Sequence, residues 1–184
     1  MTQLTPGIII KRNHSGDHDR HYVVYTQELG KITAVAKGAK KVSSKLSPHL
    51  DCFSVSDLML AKGVGPYRLA GAQMSKNFCL LKKDSLKIAY AYLFLEALDY
   101  LTVDNHQDVY LFELAEQFFK DLNEADGLFA ATKVLNRFLF ELLSHSGYRP
   151  KINATNQRQL TKELAKAISE ATDKKLKSLS LINF

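Results

Sequence analysis

Residues 20–37 read RHYVVYTQELGKITAVAK, two runs rich in β-branched and aromatic residues on either side of Glu28-Leu29-Gly30. Such runs read as strands, and a short glycine-bearing break between them reads as a hairpin tip. Two strands alone cannot bury their apolar side chains, so this hairpin requires partners. The flanks supply them. Upstream, Gly7 to Arg12 (GIIIKR) reads as a strand joined to Arg20 through the turn Asn13-His14-Ser15-Gly16-Asp17. Downstream, Phe53 to Ala61 and Tyr67 to Ser75 read as two more, separated by Lys62-Gly63-Val64-Gly65-Pro66, whose glycines and proline suit a tight turn.

Five short strands, with a longer connection (Gly38 to Asp51) between the third and the fourth, follow the plan of an OB-fold, a small partly open barrel. An SH3-like barrel is the alternative from pattern alone. Within the connection, Leu46-Ser47-Pro48-His49-Leu50 suits one helical turn. From Asp84 the period becomes helical. Leu86, Ala89, Leu93, Ala97 and Leu101 fall on one helix face, with Asp84 or Ser85 as N-cap. Val109 to Leu122 and Leu128 to Leu143 carry two more stripes, the second ending at Gly147 with Pro150 beyond, and Leu160 to Ala171 a fourth, shorter and more polar. The expected class is α+β multidomain: a five-stranded barrel in residues 1–80 and an all-helical domain in 81–184.

A chain of 184 residues with 46% hydrophobic content holds enough apolar material for a real core. The apolar run Ile8-Ile9-Ile10 is too brief for a signal-peptide core, and the longest later one, Ile88 to Leu95, stops at Glu96, short of a membrane span. No membrane association is expected, and a cytoplasmic protein is. Cys52 and Cys79 form no CxxC pair and read as small buried residues. The net charge of +6 is uneven, with +8 in residues 1–83, −6 in 84–150 and +4 in 151–184. A basic first part attracts polyanions, nucleic acid above all.

Catalytic chemistry finds little support. His14, His18 and His21 span a turn and the start of a strand with no Cys or Glu at ligand spacing, so no metal site is expected. Lys62-Gly63-Val64-Gly65 lacks the Gly-Lys-Ser/Thr ending of a phosphate-binding loop. No nucleophile carries a recognisable local signature. No cofactor is expected. The segment Lys37 to Lys45, KGAKKVSSK, is better suited to holding anions. Lys37, Lys40, Lys41 and Lys45 are flexible point charges fit for phosphate, and glycine lets backbone amides approach an anion. Lys11, Arg12, Arg20, Lys62 and Arg68 join them from neighbouring strands and turns. Tyr22, Tyr25 and Tyr67 offer rings on which bases could stack, but alternation puts Tyr22 and Tyr25 on opposite strand faces, so one of them is core. Tyr22 and Tyr67 are the candidates. In the helical part, Lys133 and Arg137 share a face beside a leucine stripe, where an acidic peptide could dock, although ordinary surface charge is the simpler reading of these two.

These stretches together suggest a family. GIIIKR, DHDRHYVVYTQELGKITAVAKGAKK, SKLSPHLDCFSVSDLMLAKG, YRLAGAQM and, after the helices, FLFELLSHSGYRP resemble the RecO recombination mediators of bacteria, with Leu176-Lys177-Ser178-Leu179 similar to the family's closing segment. The resemblance implies an OB-fold followed by a helical domain, and a non-enzymatic role in DNA repair. Family members bind single- and double-stranded DNA, anneal complementary strands, and work with RecR and single-stranded-DNA-binding protein (SSB) to load RecA, at the nucleoid. Lys37, Lys40 and Lys41 match basic positions associated with DNA binding. Many relatives follow the Gly-Tyr-x-Pro element with four zinc-holding cysteines, and residues 151–184 contain none. The alternative is an adaptor that binds RecR or the acidic C-terminal tail of SSB and has weak DNA affinity of its own.

Overall fold

The computed structural model describes residues 2–15, 19–39 and 46–182. The chain divides into two compact units, Met1–Asn77 with Val103–Glu113, and Phe78–Thr102 with Leu114–Phe184.

The first unit is built on β1 (Thr2–Ser15), β2 (Asp19–Thr26), β3 (Gly30–Ala36), β4 (Ser54–Ala61) and β5 (Tyr67–Asn77). They close into a barrel in the order β1-β2-β3-β5-β4, every pairing antiparallel except the parallel one between β3 and β5. This order and the single parallel seam are those of the OB-fold. Period-2 alternation fills the interior: Tyr22 and Val24 from β2, Ile32 and Ala34 from β3, Leu58 and Leu60 from β4 and Leu69 from β5 are all buried. A 3-10 turn at Ser47–His49 lies in the long connection.

β1 extends beyond the expected Gly7 to Arg12 because it serves two neighbours. Thr2 to Ile8 pair with β4, and Gly7 to Ser15 with β2. Residues 2–6 carry a proline and, beside Thr2 and Thr5, no Val, Ile or aromatic residue, so pairing with β4 on ring closure, more than local propensity, makes them a strand. A register shift between Ile9 and Lys11 breaks the alternation, which lets Ile8, Ile9 and Ile10 be buried in succession.

Tyr22 and Tyr25 are both buried, where alternation allowed one. Tyr22 lies on the inward row. Tyr25 lies opposite Lys31 on the outward row, and residues 103–113 strap across this side of the β2–β3 hairpin. The Asn105 N–H donates to the Lys31 carbonyl at 2.8 Å, the Gln107 side chain donates to the Gln27 carbonyl at 3.3 Å, and the Lys31 ammonium lies 3.3 Å from the Asp104 carboxylate. Burial, with the Asp108 charge adding to it, pushes the Tyr25 phenol pKa well above its usual value. Gly30 is where the strap comes closest. Its φ is +66°, and a Cβ there would stand 1.8 Å from the His106 carbonyl oxygen.

The second unit contains α1 (Ser85–Leu101), most of α2 (Val109–Glu124), α3 (Gly127–His145) and α4 (Gln157–Thr172). The Asp84 carboxylate caps α1 by accepting from the Leu86 and Lys87 N–H groups, and the Asn156 side chain caps α4 by accepting from Gln159. The core is aromatic. Phe118 stacks on Phe94 with centroids 4.0 Å apart and meets Phe138 edge-on at 5.5 Å, and Phe78 stacks on Phe119 at 5.7 Å. Buried Asn136 donates to the Gln157 carbonyl and accepts from the Thr161 hydroxyl, tying α3 to α4. No helix among the described residues is long and apolar enough to cross a membrane.

The closing 3-10 turn, Ser178–Leu181, is held through Glu96. Its carboxylate accepts from the Lys177 and Ser178 N–H groups at 3.0 and 2.7 Å and from the Tyr100 hydroxyl at 2.9 Å. Burial alone would raise the Glu96 pKa, but these donors outweigh it and the net shift is downward. Burial and the neighbouring carboxylates push the Tyr100 pKa up to about 12. A depressed carboxyl pKa contributes stability that is complete above the unfolded value, about 4.3 for Glu, and is lost as pH falls through the folded one. Amide exchange at Lys177 and Ser178 is therefore expected to accelerate relative to the rest of the unit when the pH falls below about 4. Glu96→Gln should show fast exchange at these amides already at neutral pH.

Candidate nucleic-acid interface

The barrel register brings the scattered cations of the sequence into two sets. Opposite the inward row of Tyr22, Val24, Ile32 and Ala34 lies an outward face crossed by two rows. One runs Lys11–Val23–Thr33 and the next Asn13–His21–Val35–Arg68. Lys11, Asn13, Thr33 and Arg68 are exposed, His21, Val23 and Val35 are half-buried, and neither row contains a carboxylate. Lys37 is exposed at the end of β3, in a turn where Gly38 takes a φ of +67° and donates its N–H to the Asp19 carboxylate at 2.8 Å. That carboxylate therefore fixes the turn. Lys62 lies in the β4–β5 turn, at the opposite end of β1 from the β1–β2 turn, because Thr2 pairs with Ala61.

Arg12 and Arg20 form the second set. Arg12 pairs with Tyr22 and Arg20 with Ala36, so both continue the inward row past the packed interior. Arg20 Nε is buried without a hydrogen-bond partner among the described residues, as is the Tyr22 hydroxyl. Among the described residues no carboxylate forms an ion pair with Lys11, Arg12, Arg20, Lys37, Lys62 or Arg68. Unpaired cations keep their full charge available to an external anion. Lys40, Lys41 and Lys45 lie outside the described residues.

Two readings of the sequence need correction. Tyr22 is fully enclosed in the barrel and has no ring face to offer a base, because the β2 phase that places His21 and Val23 outward turns Tyr22 in. Cys79 is exposed rather than buried, whereas Cys52 is buried. Tyr67 is half-buried and lines a cavity beside the β4–β5 turn. Among the described residues no three His, Cys, Asp or Glu side chains group as metal ligands, and His18 lies outside them.

Lys133 and Arg137 belong to the other unit, both exposed on α3. The Lys133 ammonium sits 5.6 Å from the centre of the Phe129 ring. Arg137 is held between Glu141 at 2.9 Å and Asp121 at 3.6 Å, and its guanidinium lies 4.9 Å from the Phe138 ring. Arg137 thus already has counter-charges of its own. Sequence reasoning does not reach Asn13, His21 and Thr33, which share the cationic face through pairing alone. Nor does it reach the strap, whose partners lie far away in the chain.

Comparisons with known proteins agree with this fold. The family model for the Recombination protein O N terminal matches residues 1–78, and that for the Recombination protein O C terminal matches residues 82–169. The chain is 27% identical to the DNA repair protein RecO of Alkaliphilus metalliredigens, over 84% of this chain and 62% of that one. It is 33% identical to the protein of the same name from Clostridium perfringens, over 77% and 57%. Against that of Listeria welshimeri it is 33% identical over 64% and 46%. The chain therefore spans about half the length of the curated relatives it matches. Both halves of the chain match the two domains in the family's order, on a barrel of OB topology followed by helices, and the chain belongs to the RecO family of DNA repair proteins.

Proposed function

We propose that this chain is a non-enzymatic recombination mediator that gathers DNA backbones on the outward face of its barrel, lets complementary strands pair, and works in the cytoplasm with RecR and SSB to load RecA. The observation that carries this reading is the set of exposed cations, Lys11, Lys37, Lys62 and Arg68, which flank a carboxylate-free strand face and have no ion-pair partner among the described residues. A polyanion supplies the counter-charge, and each phosphate contact releases condensed counterions from the strand. With Tyr22 enclosed, contact with the backbone rather than base stacking supplies most of the affinity. Lys40, Lys41 and Lys45 extend the same charge along the chain.

The test is a salt titration of single-stranded DNA binding by the full chain. Changing Lys11, Lys37, Lys62 and Arg68 together to alanine is expected to make the log-log salt slope shallower by roughly 3 while the circular dichroism spectrum stays unchanged. A parallel variant at Lys37, Lys40, Lys41 and Lys45 should do the same. An unchanged slope in both would refute the role of these cations. Annealing of complementary strands, bare and SSB-coated, tests the mediator activity itself.

One observation favours a second reading. Phe129 and Phe140 are exposed on the same α3 face as Lys133 and Arg137, so an acidic peptide with an apolar end, such as the SSB tail, has both a cation and a ring to meet. Binding of a labelled tail peptide that Lys133→Ala weakens would support the adaptor role, and binding that ignores Lys133→Ala and Phe129→Ala would remove it.

A further inference from the structure

The link between α3 and α4, residues 146–156, lies within the second unit and plays no part in the reading above. Exposure alternates along it: Arg149, Lys151, Asn153 and Thr155 are exposed, and Pro150, Ile152 and Ala154 between them are half-buried. That is the period of an extended ribbon. Two side chains of α4 hold the ribbon in place. The Glu163 carboxylate accepts from the Asn153 N–H at 2.9 Å. The Gln159 amide donates to the Asn153 carbonyl at 3.1 Å, and its oxygen accepts from the Thr155 N–H at 3.1 Å and hydroxyl at 2.9 Å. Gln159 also donates to Glu163 at 3.1 Å, so both oxygens of that carboxylate are engaged.

Ribbon and α4 border a groove of about 630 Å³, with Leu143, Ile152 and Ala167 as apolar walls. The Tyr148 ring lines it too, fixed by its hydroxyl, which donates to the Ala171 carbonyl at 3.0 Å. Arg149, Lys151 and Lys166 supply its charge. Arg149 and Lys151 have no ion-pair partner among the described residues. Lys166 meets Glu170 at 3.7 Å, but both side chains are largely exposed, and such a pair competes weakly with an incoming anion.

We infer that this groove is a second DNA contact, carried by the helical unit alone, which takes the phosphates of an unpaired strand on Arg149, Lys151 and Lys166 and a base against its apolar walls. The inference rests on the DNA-binding reading for the identity of the polyanion and on none of the barrel's cations. Cations two residues apart on a ribbon already held extended meet a repeating anion without the cost of ordering the segment. The Asn153 and Thr155 side chains, next in the exposed row, are of the kind that hydrogen-bonds phosphate and sugar oxygens. The Tyr148 ring and the walls suit a sugar and a base. An acidic peptide matches the charge but would find little backbone to pair with, since Asn153 and Thr155 spend their N–H groups on α4 and Pro150 has none.

The test follows amide spectra of the full isotope-labelled chain as a short thymine oligomer is added. Shifts are expected at Lys151, Asn153 and Ala167, with a log-log salt slope at these amides of roughly −2 for three single-strand contacts. Changing Arg149, Lys151 and Lys166 together to alanine should weaken binding there at least tenfold and leave shifts at Thr33 and Val35 of the barrel face intact. The variant Arg149→Lys with Lys151→Arg, which keeps the charge, should bind as the parent does. A hairpin duplex without unpaired bases should bind the groove about tenfold more weakly, for want of a base to stack. Silence at the ribbon while the barrel face responds would overturn this site and leave the barrel reading standing. A response at the ribbon alone would keep the site and overturn the barrel reading. Shifts that survive the alanine variant, tighter binding of the duplex, or a ribbon that answers an Asp-rich peptide and no oligomer would each sink the assignment.

Discussion

Gly30→Ala is expected to destabilise the barrel unit on the order of 4 kcal/mol, read as a fall in the urea midpoint of the barrel's amide signals. Two costs coincide at this position. The φ of +66° lies in the left-handed region, which a residue with a Cβ enters at a cost of about 1 kcal/mol. The added methyl would also stand 1.8 Å from the His106 carbonyl oxygen, a backbone atom that cannot swing aside as the tip of a side chain would. The strap must then lift, and the Asn105 to Lys31 hydrogen bond and the Lys31 to Asp104 ion pair go with it. Gly65→Ala is the control, because Gly65 also has a positive φ but, among the described residues, nothing within 4 Å of the added carbon. It should cost only about 1 kcal/mol. Equal losses at the two sites would mean that the strap does not press on Gly30.

Phe118→Ala carries a similar expected loss in the helical unit, about 4 kcal/mol. The Phe118 ring is fully buried and contacts three others, stacked on Phe94 and tilted or edge-on to Phe119 and Phe138. Its removal empties the centre of a rigid aromatic cluster that has little means to collapse, so the cavity cost adds to the lost transfer energy. Hydrogen exchange across α1, α3 and α4 should accelerate uniformly. Phe118→Leu fills part of the space and should cost about 1.5 kcal/mol. A loss below about 1 kcal/mol for the alanine variant would show that the cluster repacks around the gap.

The strands of the barrel were legible because their signals are local. The 20–37 hairpin announces itself by β-branched runs around a glycine, and the helices by their apolar stripes and by Asp84 as cap. Strand faces were less legible, because a face depends on register, and register depends on a partner. The shift between Ile9 and Lys11 decides that Lys11 points outward while Arg12 continues the row of Tyr22. No feature of GIIIKR alone reveals that shift. The same holds for Tyr25, whose outward phase suggests exposure until the strap is in place. Residues 102–108, TVDNHQD, read as a polar link between two helices, and nothing in them predicts that they add a parallel bridge beside Lys31. The cationic residues could be picked out from sequence, then, but which of them share a surface was settled only by pairing across the ring.

The strap also bears on how this protein can be taken apart. Residues 103–113 depart from one compact unit, complete the other, and lead back again. A protease nick near residue 80 would therefore yield an N-terminal piece with all five strands but without the Asp104 counter-charge for Lys31, and with Tyr25 opened to water. Hybrids that graft the front of one relative onto the back of another face the same problem: they must match two seams along the chain, and a mismatch at the second would surface as an aggregating barrel rather than as a faulty helix bundle.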